Sequence, residues 1–208
     1  MNIYHNYHNY HTVLIDLSGL LVAYLLGSVC TAIPVCHLLG LPDPRTQGSG
    51  NPGATNVLRV GGKGPALLTL SGDMLKAVIP VLIARLLHAT PLMAALVGLA
   101  AFLGHLFPLF YHFQGGKGVA TAFGVIWTLH PLLGLGTTLI WLLVFYFTRT
   151  SSLAALLAFG TLPLAAWFAD ATQFPVLLLM ALLLFFRHHR NIRALLRGEE
   201  RPFKRSTL

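Results

Sequence analysis

Charge is what this chain has least of. Only 10% of its 208 residues are Asp, Glu, Lys or Arg, and just six of those are acidic. A soluble domain carries about 25% charged residues, so this composition argues against one. Cysteine is almost missing as well: Cys30 and Cys36 lie in one apolar stretch, spaced like neither a disulfide framework nor a thiolate metal site, and read as small core filler. The first eleven residues contain no Lys or Arg, which excludes the positive n-region of a signal peptide. That Tyr-His-Asn-rich leader, residues 1–12, reads as a disordered polar segment, with His5, His8 and His11 as no more than adventitious metal ligands. No Ser-His-Asp constellation is visible, and no complete Walker loop.

Apolar length is abundant: 55% of the residues are hydrophobic and mean hydropathy is +0.71. Crossing a bilayer core takes about 20 apolar residues. Residues 13–39, 65–87 and 91–110 reach that length, 131–147 and 153–169 come close, and 119–129 and 174–186 are short. Charge placement favours seven crossings over five. With the N-terminus periplasmic, segments 40–64, 111–118, 148–152 and 187–208 hold twelve of the fourteen Lys and Arg. The remaining two, Lys76 and Arg85, fall within a span, and the opposite connections hold none. This is the positive-inside pattern. The predicted fold is therefore an all-α, seven-helix membrane bundle: a single domain over 13–200, with a basic cytoplasmic tail at 201–208.

Three polar islands interrupt the apolar sequence, all on the predicted cytoplasmic face. The first, Gly48-Ser-Gly-Asn-Pro-Gly-Ala-Thr-Asn56, runs on to Arg59 and Gly61-Gly-Lys63-Gly64. It matches a dinucleotide fingerprint formally, but no strand precedes it and no βαβ unit follows, so that reading fails. It reads instead as a flexible loop bearing Ser49, Asn51, Thr55, Asn56 and Arg59 as polar contacts for an anion. The second, Gly115-Gly-Lys117-Gly118, opens a short helix whose N-terminus favours an anion. Gly118 stands where a Walker loop needs Ser or Thr, so no nucleotide is implied. The third is Arg187-His-His-Arg-Asn191. On a helical wheel His188 and Asn191 share a face with Leu184, Ile192 and Leu195, while Arg190, Arg193 and Arg197 point away toward headgroups. Within the second long span Asp73 and Lys76 sit at i and i+3, an intrahelical pair by spacing.

Read together with Gly104-His-Leu-Phe-Pro108, these motifs resemble the bacterial membrane acyltransferases that move a fatty acyl group from acyl phosphate to glycerol 3-phosphate. The likeness covers residues 13–200. It implies a cytoplasm-facing site in the inner membrane and direct attack of the sn-1 hydroxyl on the acyl carbonyl, giving lysophosphatidic acid and phosphate without an acyl-enzyme. Carried over, the catalytic set is Lys117, His188, Asn191, Arg59 and Ser49. Substrate or phosphate binding falls to Gly50, Asn51, Gly53, Thr55, Asn56, Gly115, Gly116, Gly118, Thr121 and Ser152. The resemblance implies no cofactor, metal or nucleic acid, and a monomer among membrane lipids. Ala77 after Lys76, and Ala155 near Ser152, depart from its pattern. A phosphate transporter is the competing reading, since basic half-helix sites also serve transport. It requires internal repeats, and the two Gly-Gly-Lys-Gly copies have no similar surroundings.

Overall fold

The computed structural model describes residues 2–203, with side chains described for 13–203. The described residues are all-helical, with no strand. Helix α1 (Asn2–Gly27) leads into α2 (Ala32–Leu38), then α3 (Ala54–Gly61), α4 (Lys63–Leu86) and α5 (Pro91–Leu106). After a 3-10 turn at Leu109–Tyr111 come α6 (Val119–Leu129), α7 (Pro131–Thr148), α8 (Ser151–Ala169), α9 (Phe174–Arg187) and α10 (His189–Leu196). The helical backbone of α1 reaches back to Asn2, where the sequence predicts disorder. The leader's histidine side chains, and residues 204–208 of the predicted tail, lie outside the described residues.

Every predicted apolar segment is helical, but the first is broken. α1 and α2 meet at a 44° bend instead of forming one straight span. Pro34 supplies the reason: in a continuous helix its ring would strike the carbonyl four residues back, at Cys30. The break frees backbone carbonyls in an apolar setting, which is costly unless they are met. Lys76 Nζ meets one, donating to Val29 O at 2.8 Å, and pairs with Asp73 Oδ1 at 2.8 Å. The buried pair in α4 thus has structural work to do, holding the bend of another helix.

Among the described residues four helices are long and apolar enough to cross a bilayer alone, and the bent pair, taken as one span, makes five. α6 and α9, at 11 and 14 residues, span only about 16 and 21 Å. Buried faces compensate, with Ala122, Val125, Ile126, Leu177, Met180 and Leu184 all in the core. Small residues allow the helices to approach closely, as in other membrane bundles. A Cβ on Gly27 would strike the backbone of Ala101, one on Gly104 the backbone of Tyr24, and one on Gly124 Met74 O. The outer faces stay apolar, with Leu132, Leu143 and Phe147 strongly exposed on α7, which suits lipid and not water.

Candidate active site

All three islands line one cavity of about 650 Å³ at one end of the bundle. Its polar end carries Ser49, Asn51, Thr55, Arg59, Lys63, Lys117, Ser152, His188, Asn191 and Glu200. Its other end is an apolar groove between α4, α6 and α7, built from Leu67, Leu70, Met74, Phe123, Trp127, Trp141 and Leu142.

The first island is more ordered than a flexible loop. Gly53 is the extended N-cap of α3, so Thr55, Asn56 and Arg59 stand on a helix. Asn56 is buried and fully engaged: its amide donates to Pro44 O (2.7 Å) and Gln47 O (3.0 Å), and its Oδ1 accepts Ser49 N–H (2.9 Å). Its side chain therefore organises the loop and offers a ligand little. Thr55 Oγ1 lies 3.1 Å from Ser151 Oγ, tying α3 to α8. Arg59 sits 4.8 Å over the Phe203 ring, with Nη2 on Arg201 O at 3.3 Å.

The second island is packed tightly from behind. Gly116 N–H is spent on His105 O (3.1 Å), so it is not available to phosphate. A Cβ on Gly115 would strike His105 O, and one on Gly116 the His105 ring. Arg187 grips the loop's outer side, with Nε on Gly116 O (3.0 Å) and an Nη on Gly115 O (2.5 Å). Gly118, at φ +82, caps α6 in the left-handed region. Gly50, Gly115, Gly116 and Thr121 do not line the cavity, unlike the other predicted residues. The three glycines shape backbone, and Thr121 is wholly buried in α6.

Lys117 emerges from this loop to donate to Asn191 Oδ1 at 2.5 Å. Burial pushes its ammonium down to about 8, with Glu200 opposing the shift and Arg59 and Arg187 adding to it. His188 stands at the junction of α9 and α10 and is 2% exposed. Its Nδ1 meets Leu184 O at 2.8 Å. A carbonyl only accepts, so Nδ1 carries the hydrogen and Nε2 is left as the acceptor nitrogen. Burial, reinforced by Lys117 and Arg187, pushes its pKa down to about 4. As the helical wheel predicts, Arg190, Arg193 and Arg197 are exposed.

Sequence reasoning missed two participants. Glu200 Oε1 accepts from Asn191 Nδ2 (2.7 Å) and Ser152 Oγ (2.5 Å), completing a Lys117–Asn191–Glu200–Ser152 chain. Arg187 was visible only as one more arginine of the third island, yet it points inward to the glycine loop. The helical wheel holds the signal that could have found it: Arg187 falls about 40° from inward Asn191, nearer the buried face than Arg190, Arg193 or Arg197. His105 and Asp73 also line the cavity floor, with Nδ1 and Oδ1 3.5 Å apart. Among the described residues, no three His, Cys, Asp or Glu side chains are grouped as metal ligands.

A basic polar chamber opening into an apolar groove, inside a bundle of apolar helices, is the architecture of an integral-membrane enzyme. The profile of the family described as glycerol-3-phosphate acyltransferase matches residues 17–198. The chain belongs to that family and is an acyltransferase. The glycerol-3-phosphate acyltransferase of Thioalkalivibrio sulfidiphilus (strain HL-EbGR7) is 56% identical over 180 residues, covering 86% of this chain and 89% of the relative. That of Haemophilus ducreyi (strain 35000HP / ATCC 700724) is 52% identical over 182 residues, covering 87% and 91%. Among solved structures, the glycerol 3-phosphate form of PlsY (YgiH), an integral membrane glycerol 3-phosphate acyltransferase, superposes with a TM-score of 0.87. It shares 38% identity, over 91% of this chain and 96% of that one. The lysphosphatidic acid form of PlsY gives a TM-score of 0.85.

Proposed function

We propose that this chain transfers a fatty acyl group from acyl phosphate to the sn-1 hydroxyl of glycerol 3-phosphate, releasing lysophosphatidic acid and inorganic phosphate. One observation carries the reading: the three polar islands, far apart in sequence, line a single cavity that continues into an apolar groove. The polar end suits two phosphorylated groups and the groove an acyl tail. PlsY, with its glycerol 3-phosphate and lysphosphatidic acid forms, supports the same substrate and product here.

The reaction is a single displacement. The hydroxyl oxygen attacks the acyl carbonyl, the carbonyl–phosphate bond breaks, and phosphate leaves with the electron pair. Phosphate is already a good leaving group, so no acyl-enzyme is needed. Ser152 spends its hydroxyl proton on Glu200. Among the described residues no cavity serine is hydrogen-bonded to a histidine, as a Ser–His nucleophile would require. The chain's task is to bring two anions together and to offset negative charge as it grows on the carbonyl oxygen and the leaving phosphate. Lys117 and Arg59 supply that charge.

In this reading a substrate phosphate oxygen accepts the hydroxyl proton and His188 Nε2 orients the hydroxyl, in keeping with the burial that pushes the imidazole down to about 4 and disfavours its charged form. The seven-crossing topology, with the site facing the cytoplasm, is supported by the twelve Lys and Arg of the predicted cytoplasmic segments.

The test is turnover by detergent-purified protein. Acyl phosphate and glycerol 3-phosphate should yield phosphate and lysolipid in equal amounts. Acyl-CoA serving equally well, with no phosphate released, would remove the acyl-phosphate donor. Product formed in neither case, but phosphate moving across vesicles, would favour a transporter.

A further inference from the structure

Residues 199–208 are mostly polar, yet one aromatic among them, Phe203, is only 6% exposed. On the charge-stabilising role proposed above for Arg59, we infer that Phe203 is a positioning residue for acyl transfer: its ring holds the Arg59 guanidinium in one orientation at the polar end of the cavity.

The chain returns to the bundle for local reasons. Gly198 follows α10 at φ +68, a backbone position that favours glycine, and the N–H groups of Glu199 and Glu200 both turn back to Ala194 O, at 2.8 and 3.2 Å. Phe203 N–H then donates to Arg149 O at 2.9 Å, fastening the segment to the junction of α7 and α8. Its ring meets the Phe145 ring edge to face, with centroids 5.7 Å apart and planes at 72°. Arg201 and Pro202 stay exposed on the way, so Phe203 is the anchor.

Arg59 stands exposed on α3, where a long side chain samples many rotamers and would lose that freedom on gripping an anion. Two contacts restrict it beforehand. Its guanidinium carbon lies 4.8 Å from the Phe203 ring centroid, within cation–π reach, and Nη2 donates to Arg201 O at 3.3 Å. A contact through the ring face leaves most of the N–H fork open: of five donors, one is spent on Arg201 O. Among the described residues no carboxylate lies in salt-bridge range of Arg59. A carboxylate would fix the arginine by neutralising the charge that an anionic substrate must find. An aromatic face fixes it and leaves that charge available.

Phe203 also sits at the seam between the two ends of the cavity. Arg59, Phe203, Phe145 and Trp141 all line it, and Trp141 stacks on Phe145 with centroids 4.9 Å apart and planes at 16°. The row runs from the polar chamber to the apolar groove, and Phe203 touches both the cation and the groove's aromatic wall. One ring thereby fixes where the cation stands relative to the groove that would hold the acyl tail.

Kinetics of the purified full chain in detergent test it, with acyl phosphate and glycerol 3-phosphate as substrates and released phosphate as the readout. Phe203→Leu keeps apolar bulk but removes the π face, and Phe203→Tyr keeps both. Expected is a fall of about three- to thirtyfold in kcat and kcat/KM together for Phe203→Leu, near wild-type rates for Phe203→Tyr, and an unfolding midpoint little changed in either. In an Arg59→Ala background Phe203→Leu should cost no further rate, because the ring acts only through that cation. Full activity in Phe203→Leu, equal losses in Phe203→Leu and Phe203→Tyr, or a loss that repeats undiminished without Arg59 would overturn the positioning role and leave the ring as packing. Where the double variant is too slow to follow, glycerol 3-phosphate binding by calorimetry reads the same cycle. Arg59→Ala as fast as wild type would overturn the role of Arg59 and that of Phe203 together. Phosphate release from neither wild type nor variants would instead strike the acyl-phosphate reading, with binding still reporting on Phe203.

Discussion

The tetrapeptide Gly-Gly-Lys-Gly occurs twice, at 61–64 and at 115–118, and the two copies share almost nothing but their letters. The first straddles the junction of α3 and α4. Its Gly62, Lys63 and Gly64 are exposed, and a Cβ on Gly62 or Gly64 would meet nothing within 4 Å. The second is buried at all three glycines, and a Cβ at each would collide with His105, Phe102 or Leu106. Each copy contains one glycine at positive φ, but the conformations differ: Gly62 has φ +81 and ψ −168, Gly118 φ +82 and ψ 2. Both positions therefore need glycine, for different backbone reasons, and the neighbours differ as well. In the second copy other elements press the backbone into one shape and half-bury the lysine at the cavity wall. Composition alone does not do this.

The largest effect should come from the two lysines. Lys117→Ala removes the half-buried cation bonded to Asn191 and should lower kcat by roughly 10²–10³, as loss of a transition-state charge partner does elsewhere. Lys63→Ala, at an exposed rim position, should stay within about threefold, since an exposed charge is screened. Initial rates of phosphate release decide it, and equal losses would erase the distinction between the copies.

Buried and exposed glycines separate next. Gly118→Ala incurs both the left-handed backbone, about 1–2 kcal/mol, and a clash with the Phe102 ring and Leu106; Gly62→Ala incurs a backbone cost alone, about 1–3 kcal/mol at φ +81 and ψ −168. The excess for Gly118, about 1–3 kcal/mol from overpacking, should appear as a lower unfolding midpoint in detergent. Equal midpoints would mean that the loop yields freely.

A smaller effect is tied to pH. The proposed mechanism needs Lys117 charged, and burial pushes its pKa down to about 8 from the ordinary 10.5. The charged form dominates below 8 and is lost above it, so kcat/KM should fall as pH rises through about 8. In Lys117→Arg the guanidinium stays charged, and that falling limb should vanish even if the maximum rate is lower. A limb unchanged in Lys117→Arg would assign it to another group.

Much of this contrast was legible in the sequence, and the illegible part has a common cause. Apolar length set the helices, and the helical wheel correctly turned His188 inward and Arg190, Arg193 and Arg197 outward. These are local, periodic signals. The bend between α1 and α2 was half-visible through Pro34, but its stabiliser, Lys76, lies 47 residues from Val29. Arg187 reaches back 71 residues to Gly116, and Glu200 meets Ser152 across 48. Such long-range pairs leave no spacing to read. Asn56 is the reverse case: a polar residue inside a functional-looking motif, whose hydrogen bonds are local and structural.

The smallest expected change is also the one that runs the other way. Gly64 lies in the first turn of α4 with no left-handed φ and no atom near a would-be Cβ. Alanine there keeps the backbone, removes conformational freedom from the unfolded chain and raises helix propensity, a gain of about 0.4–1 kcal/mol. Gly64→Ala should therefore raise the unfolding midpoint slightly and leave turnover unchanged. Its positional counterpart Gly118→Ala should lower both. If Gly64→Ala instead reduced turnover, the α3–α4 junction would have to move during catalysis, and the exposed copy would join the buried one as part of the machinery. The sign of this small shift thus tests whether open space around Gly64 means indifference or a hinge.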